Sequence, residues 1–176
     1  MEITKTQLAD CVVLEPKVFS DERGFFIEIF QDQKYSGFLN SNLKFVQDNY
    51  SHSTKGVLRG LHFQITKPQG KLIQVIQGEV FDVAVDLREG SPTYGQWHAE
   101  ILSDINKKQF WVPPGFAHGF LTLSDSADFL YKCTDYYDAQ DEGSIIWSDP
   151  TLDISWPVSE PILSAKDQAA PVLKEN

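Results

Sequence analysis

The sequence predicts a mainly β fold, a jelly-roll sandwich or barrel with a few short helices. Three observations lead there. Short apolar or alternating segments recur along the chain, turn signals separate them at close intervals, and helical periodicity is scarce. A length of 176 residues suits one domain, spanning 1–176, with room for a substantial core.

Taken in order, GFFIEIF (24–30) sets Phe26, Glu28 and Phe30 against Phe25, Ile27 and Ile29, as a strand does. QDQKYSGFLN (31–40) is a helical candidate. GVLRGLHFQ (56–64) reads as a buried strand through Val57, Leu58, Leu61 and Phe63, and KLIQVI (71–76) follows it. In EVFDVAVDL (79–87), Phe81, Val83, Val85 and Leu87 share one face, with Val80, Asp82, Ala84 and Asp86 on the other. WHAEIL (97–102), QFWV (109–112), HGFLTL (118–123) and DFLYKC (128–133) are the remaining strands. QG at 77–78, EGSP at 89–92, PPG at 113–115 and SDSAD at 124–128 supply turns. The proline-rich tail from Thr151 is expected to wrap the surface before a short helix in SAKDQAA (164–170), capped by Ser164.

Bulk properties exclude some function classes. The net charge is -10, which disfavours nucleic-acid binding. No apolar run reaches membrane-spanning length, and MEITKTQLAD lacks the basic-then-apolar pattern of a signal peptide, so the expected location is cytoplasmic. The two cysteines, Cys11 and Cys133, sit beside apolar residues and read as small core side chains rather than a disulfide framework.

Several polar residues do not suit a plain sandwich: Arg23, Glu28, Gln47, Asp48, Asn49, Arg59, His62, Lys71, His118 and Tyr131. Singly, each has a structural reading, a packed histidine or a tied-off tyrosine. Together they suit a jelly roll, which gathers inward-facing residues into one cavity. Arg59 and His62 pose a geometric problem. Residues three apart on a regular strand face opposite ways. Gly60 between them predicts a bulge that restores a common direction, or an Arg59 at the strand's entry that curls into the mouth. Metal-holding jelly rolls often use two histidines one residue apart, then a Glu and a late His. Here His62-Phe63-Gln64 replaces the pair, and His62 with His118 alone makes a poor transition-metal site.

The stretches DERGFFIEIF (21–30), FVQDNYSHSTKGVLRGLHFQ (45–64), QGKLIQVIQGEVFDVAVDLREGSPTYGQW (69–97), WVPPGFAHGF (111–120), FLYKCTDYY (129–137), EGSIIWSDP (142–150) and LSAKD (163–167) carry a resemblance over nearly the whole chain. The sequence resembles the dTDP-4-dehydrorhamnose 3,5-epimerases. That resemblance implies a metal-free cupin-type jelly roll, no cofactor, a dTDP-4-keto-6-deoxyhexose substrate, and a homodimer with strand exchange. It implies His62 as base, Asp167 as the carboxylate orienting it, Tyr131 as acid and Lys71 near the sugar C4 oxygen. Arg23, Glu28, Gln47, Asn49, Arg59, His118, Glu142 and Lys166 match substrate-contacting positions. Gln74 and Ala139 depart from the family pattern, where Arg and Pro are frequent.

The chemistry suits these residue types. The C–H bonds at C3 and C5 of a 4-keto sugar are acidic because both flank the carbonyl. Inversion takes a base on one face and an acid on the other. A neutral histidine, with a reference pKa of about 6.5, suits the first role; a tyrosine, at about 10, keeps its proton for the second. A lysine can stabilise the enolate oxygen. Arg59 and Arg23 suit a diphosphate, since guanidinium offers paired donors. Asp167 also stands three residues after Ser164, where an acid simply favours a helix N-terminus. Phe19, Phe26 and Tyr137 are candidates to flank thymine or sugar, or to pack the core. A single-carbon epimerase, a sugar-nucleotide-binding module without activity and a metal-dependent cupin oxygenase are the competing readings.

Overall fold

Alternation in the sequence becomes antiparallel strands stacked as two sheets. The computed structural model describes residues 1–39 and 44–173. Its strands are β1 (Glu2–Lys5), β2 (Val12–Glu15), β3 (Val18–Asp21), β4 (Gly24–Ile27), β5 (Gln47–Thr54), β6 (Leu58–Gln64), β7 (Lys71–Gln77), β8 (Glu79–Asp86), β9 (Trp97–Ser103), β10 (Gln109–Val112), β11 (Phe116–Thr122), β12 (Ser126–Cys133) and β13 (Glu142–Ser144). Helix α1 is Asp32–Phe38 and α2 is Ala165–Gln168. One sheet runs β1-β2-β10-β7-β12-β5 and the other β13-β6-β11-β8-β9; β3 and β4 form a separate hairpin. Spatial neighbours distant in sequence are the mark of the expected jelly roll.

Between the sheets, Val13, Ile73, Val75, Phe110 and Phe129 of one meet Val80, Ala84, Leu102, Phe116 and Phe120 of the other. The outer faces are covered too. Against the six-stranded sheet, α1 lays Tyr35, with Leu39 beyond it, on Leu14, Leu72 and Trp111. The tail packs Ile145, Leu152 and Trp156 over Leu58, Leu61, Val83, Val85 and Leu121 of the five-stranded sheet. The tail therefore wraps the surface as expected, and this explains the continuous apolar character of β8: it is buried on both faces. Cys11 and Cys133 are both buried and free.

Local signals set the helix ends. Gln31 caps α1, its side chain accepting from Lys34 N, and Ser164 caps α2 by accepting from Asp167 N. The strand expected over 24–30 stops at Ile27. Asn40, at the end of the expected first helix, lies outside the described residues.

Gly60 behaves as the bulge that was expected. His118 pairs with His62 and Phe120 with Arg59, so β6 spends three residues where β11 spends two. Gly60 has φ +123°, and a Cβ there would lie 2.6 Å from Gly119 Cα. Only glycine fits.

Behind the PPG turn, Asp86 is fully buried and accepts from Arg88, Ser91 Oγ and Thr93 Oγ1. Burial pushes its carboxyl up, but these bonds outweigh it and hold the pKa at about 2. The folded value lies below the ordinary one. Its stabilisation is therefore present above pH ~4 and lost as pH falls towards 2, on the order of 2 kcal/mol. Asp86→Asn is expected to lower the urea midpoint at pH 7 and to flatten the parent's loss of stability between pH 4 and 2; an unaltered acid limb would show that Asp86 does not supply it.

Candidate active site

Between the two sheets, two adjoining cavities of about 470 and 270 Å³ share His62, Lys71 and Tyr131. His62 comes from β6 in one sheet; Lys71 and Tyr131 come from β7 and β12 in the other. The first side chain and the last thus stand on opposite walls.

His62 Nε2 lies 2.6 Å from Asp167 Oδ1. A carboxylate partner at this distance favours the tautomer in which Nε2 donates and Nδ1 is the accepting nitrogen. Asp167 is buried, and its other oxygen accepts from Ser164 Oγ at 2.9 Å. Asp167 thus stands both in the first turn of α2 and against His62. Helix α2 is short, and what it contributes is Lys166 and Asp167 at the cavity wall.

Tyr131 is half-buried, and its hydroxyl has no hydrogen-bond partner among the described residues. Burial pushes its pKa up to about 12, so it remains a phenol at neutral pH. Phe129 lies 5.8 Å from it between ring centroids and also stacks on His118. Burial lowers the Lys71 ammonium below its ordinary value. An anion formed beside it returns the stabilisation that burial removes, so the lysine responds strongly to charge appearing in the cavity.

His118 lines the larger cavity, and its Nε2 lies 2.9 and 3.0 Å from the two oxygens of fully buried Asp82. Burial raises the Asp82 carboxyl and lowers the His118 imidazole, and their mutual attraction opposes both shifts. Arg59 enters the same cavity, donating from Nε to Ser53 Oγ at 3.0 Å. Gln47, Asn49 and Glu142 line the smaller one; Glu142 pairs with Lys166, accepts from Tyr137 Oη at 2.7 Å, and stands 4.0 Å from His62 Nδ1. Among the described residues no group of three or more His, Cys, Asp or Glu is arranged to hold a metal ion.

Of the residues singled out in the sequence, Arg23, Glu28 and Asp48 line neither cavity, nor do Phe19 and Phe26; Asp48 pairs with Lys132 at 2.9 Å. Arg23, in the β3–β4 hairpin, pairs with Asp21 at 2.5 Å, and Glu28 pairs with Lys34 at 2.6 Å. Gln74 accepts from Gln109 Nε2 at 2.9 Å and lines neither cavity, and nor does exposed Ala139.

Residues 5–175 match the family model described as dTDP-4-dehydrorhamnose 3,5-epimerase. The chain belongs to the dTDP-4-dehydrorhamnose 3,5-epimerase family. It is 55% identical to the dTDP-4-dehydrorhamnose 3,5-epimerase of Salmonella typhimurium over 99% of this chain and 97% of that one. It superposes with a TM-score of 0.94 on a Legionella pneumophila dTDP-6-deoxy-D-glucose-3,5-epimerase solved with dTDP-4-keto-L-rhamnose, at 57% identity over 97% of this chain and 92% of the other. A 3'-monoepimerase of Streptomyces bikiniensis, solved with dTDP-quinovose, is more distant, at 32% identity and a TM-score of 0.89 over 95% of this chain and 85% of its own.

Within this epimerase family, an isomerase class, the cavity residues have partners that composition alone does not flag. Asp82 was visible only as an acid inside the apolar run VFDVAVDL, and its burial beside His118 gives that oddity a cause. Ser53 and Ser164 carried no signal, since a serine in a polar strand or at a helix start is ordinary.

Proposed function

We propose that the protein epimerises both C3 and C5 of dTDP-4-dehydro-6-deoxy-D-glucose to give dTDP-4-dehydro-L-rhamnose. The carrying observation is the placement of His62, backed by Asp167, and Tyr131 on opposite walls of one cavity, with Lys71 between the sheets. His62 Nδ1 takes the proton from C5 or C3. The C–H electron pair moves into the ring, and the C4 carbonyl becomes an enolate whose oxygen faces Lys71. The Tyr131 hydroxyl then delivers its proton to the same carbon from the opposite face, which inverts it. Imidazolium and phenolate return to their starting states by exchange with solvent. The same pair serves both carbons in turn. Asp167 holds the productive tautomer and stabilises the imidazolium.

Support for the substrate class comes from the relative solved with dTDP-4-keto-L-rhamnose and from Arg59, a guanidinium at the larger cavity that suits a diphosphate. Arg59→Ala is expected to weaken dTDP binding by roughly 10- to 100-fold, read by calorimetry; unchanged affinity would remove the arginine from phosphate recognition.

The β3–β4 hairpin suits a homodimer with exchanged strands. It carries Arg23 and leaves Phe19, Phe25 and Phe26 exposed, Phe26 at 68%. These side chains would complete the site of a second copy, which sedimentation would reveal as a dimer. Among the described residues no helix is long and apolar enough to cross a membrane, and a cytoplasmic location is part of this reading.

The deciding test is incubation with the 4-keto sugar nucleotide in D2O, read by NMR. Deuterium at both carbons, with an L-rhamno product when a 4-keto reductase is coupled, supports the proposal. The second reading is favoured by the likeness to a 3'-monoepimerase: label at one carbon only would select it. Absence of label at both carbons would select a binding module.

A further inference from the structure

Four consecutive residues at the rim of the smaller cavity are gripped through their backbone by glutamine side chains. Gln69 Nε2 donates to Asp135 O at 2.8 Å. Gln64 Nε2 donates to Tyr136 O at 3.2 Å. Tyr137 N donates to Gln47 Oε1 at 2.9 Å, and Asp138 N donates to Gln64 Oε1 at 2.7 Å. The three glutamines come from different places: β5, β6 and the loop between β6 and β7.

A surface loop ordinarily satisfies such groups with water. Water would leave the loop free to shift. A glutamine amide both donates and accepts, so one side chain can hold a carbonyl and an N–H two residues apart and fix their spacing. Gln64 does this with little solvent contact, at 5% exposure. Its remaining N–H goes to Lys67 O at 2.7 Å, so both donors and the oxygen are committed to backbone. Ordering three long, rotamer-rich side chains on one tetrapeptide opposes folding. The arrangement makes sense when the position of that tetrapeptide matters.

What the tetrapeptide carries is Tyr137. Its ring lines the smaller cavity together with His62 and Tyr131, and its hydroxyl donates to Glu142. Glu142 in turn pairs with Lys166 and approaches His62 Nδ1. A shift of the loop would move the tyrosine ring and release the carboxylate beside the base. Gln64 also stands two residues after His62, on the same face of β6. The residue that replaces a metal-type second histidine has its amide wholly engaged in holding this loop.

We propose that Gln64 and Gln69 are positioning residues: with Gln47 they clamp the backbone of residues 135–138 so that Tyr137 forms a fixed wall for the bound nucleotide sugar. This rests on the sugar-nucleotide reading above. Both glutamines act on substrate through the loop.

The test compares the parent with Gln64→Met, which keeps length and loses every hydrogen bond, and with Gln69→Met, which removes the outer grip alone. Calorimetry with dTDP gives Kd, and NMR progress curves give KM and kcat. In Gln64→Met, Kd and KM are expected to rise together by about tenfold, with kcat falling less than about threefold. A merely structural loss would lower the active fraction, hence apparent kcat, and leave Kd of the folded molecules unchanged. A folded Gln64→Met whose Kd and KM stay within about twofold of the parent overturns the clamp, as does a variant that loses kcat while keeping Kd. Should Gln64→Met lose its cooperative melt, Gln69→Met decides: a rise in Kd of about threefold supports the clamp and an unchanged Kd overturns it. The parent titration is read separately. A parent that does not bind dTDP refutes the sugar-nucleotide reading itself.

Discussion

Replacing His62 with alanine is expected to abolish deuterium incorporation at both C3 and C5 and to lower turnover by roughly 10²- to 10⁴-fold, the usual contribution of a positioned general base. The side chain is half-buried and its one short contact is to Asp167, so removal should leave the fold intact. A thermal melt of the variant near that of the parent would establish this, and dTDP binding should persist because Arg59 is untouched. The loss should appear in kcat and kcat/KM alike, since the interaction belongs to the transition state. Turnover at the parent rate would dismiss the mechanism, because the described residues offer no other imidazole backed by a carboxylate with a nitrogen left for the cavity except His118. His118→Ala, made in parallel, separates the two: it should weaken binding and leave exchange at saturating substrate, whereas the reverse pattern would move the base to His118.

Tyr131→Phe should divide what His62→Ala destroys together. With the base retained, a C–H proton can still be removed and returned from the same side, so deuterium should enter the starting sugar without inversion. Inverted product should fall by roughly 10²-fold or more. Burial pushes the phenol's pKa up to about 12, so the parent is expected to show no loss of this acid up to about pH 10 in a pH–rate profile. Inverted product from Tyr131→Phe at the parent rate would assign the acid elsewhere, and loss of all exchange would show that the tyrosine also supports proton removal. Phenylalanine keeps the contact with Phe129, so stability should change little.

Much of the fold was legible because its central strands are apolar. β7 to β12 pack both against the opposite sheet and, in part, under a cover, and their sequences say so. β5 was not legible as a strand. Its sequence, QDNYSHST, has almost no apolar residue, because Gln47, Asn49 and Ser51 turn inward to polar cavity rather than to core, and Ser53 accepts from Arg59. The strand is held in place by eight residues of β12 instead. The short strands β1, β2 and β13 escaped for a related reason: three or four residues give too few alternations to recognise. β3 escaped with them, since every residue of it is exposed.

The site was legible as residue types and as a family resemblance, and less so as an arrangement. The glycine between Arg59 and His62 foretold the bulge, since the two side chains had to share a direction. Nothing local foretold that Gln64 and Gln69 would grip a loop some 70 residues away: a glutamine beside a strand end looks the same whether it faces solvent or backbone. Arg23 and Glu28 show the opposite case. Their types suit the chemistry, yet within one chain they sit apart from the cavity; the proposed second copy is what would bring the hairpin to it.

The carboxylate behind His62 lies 105 residues further along the chain, on a helix of four residues that the tail delivers after crossing the outer face of a sheet. The partner of a strand-borne histidine is thus supplied by the tail and not by either sheet. On the proposed mechanism, undocking the tail would remove the orienting carboxylate and leave the strand-borne groups where they are, so activity would be lost before the barrel itself came apart.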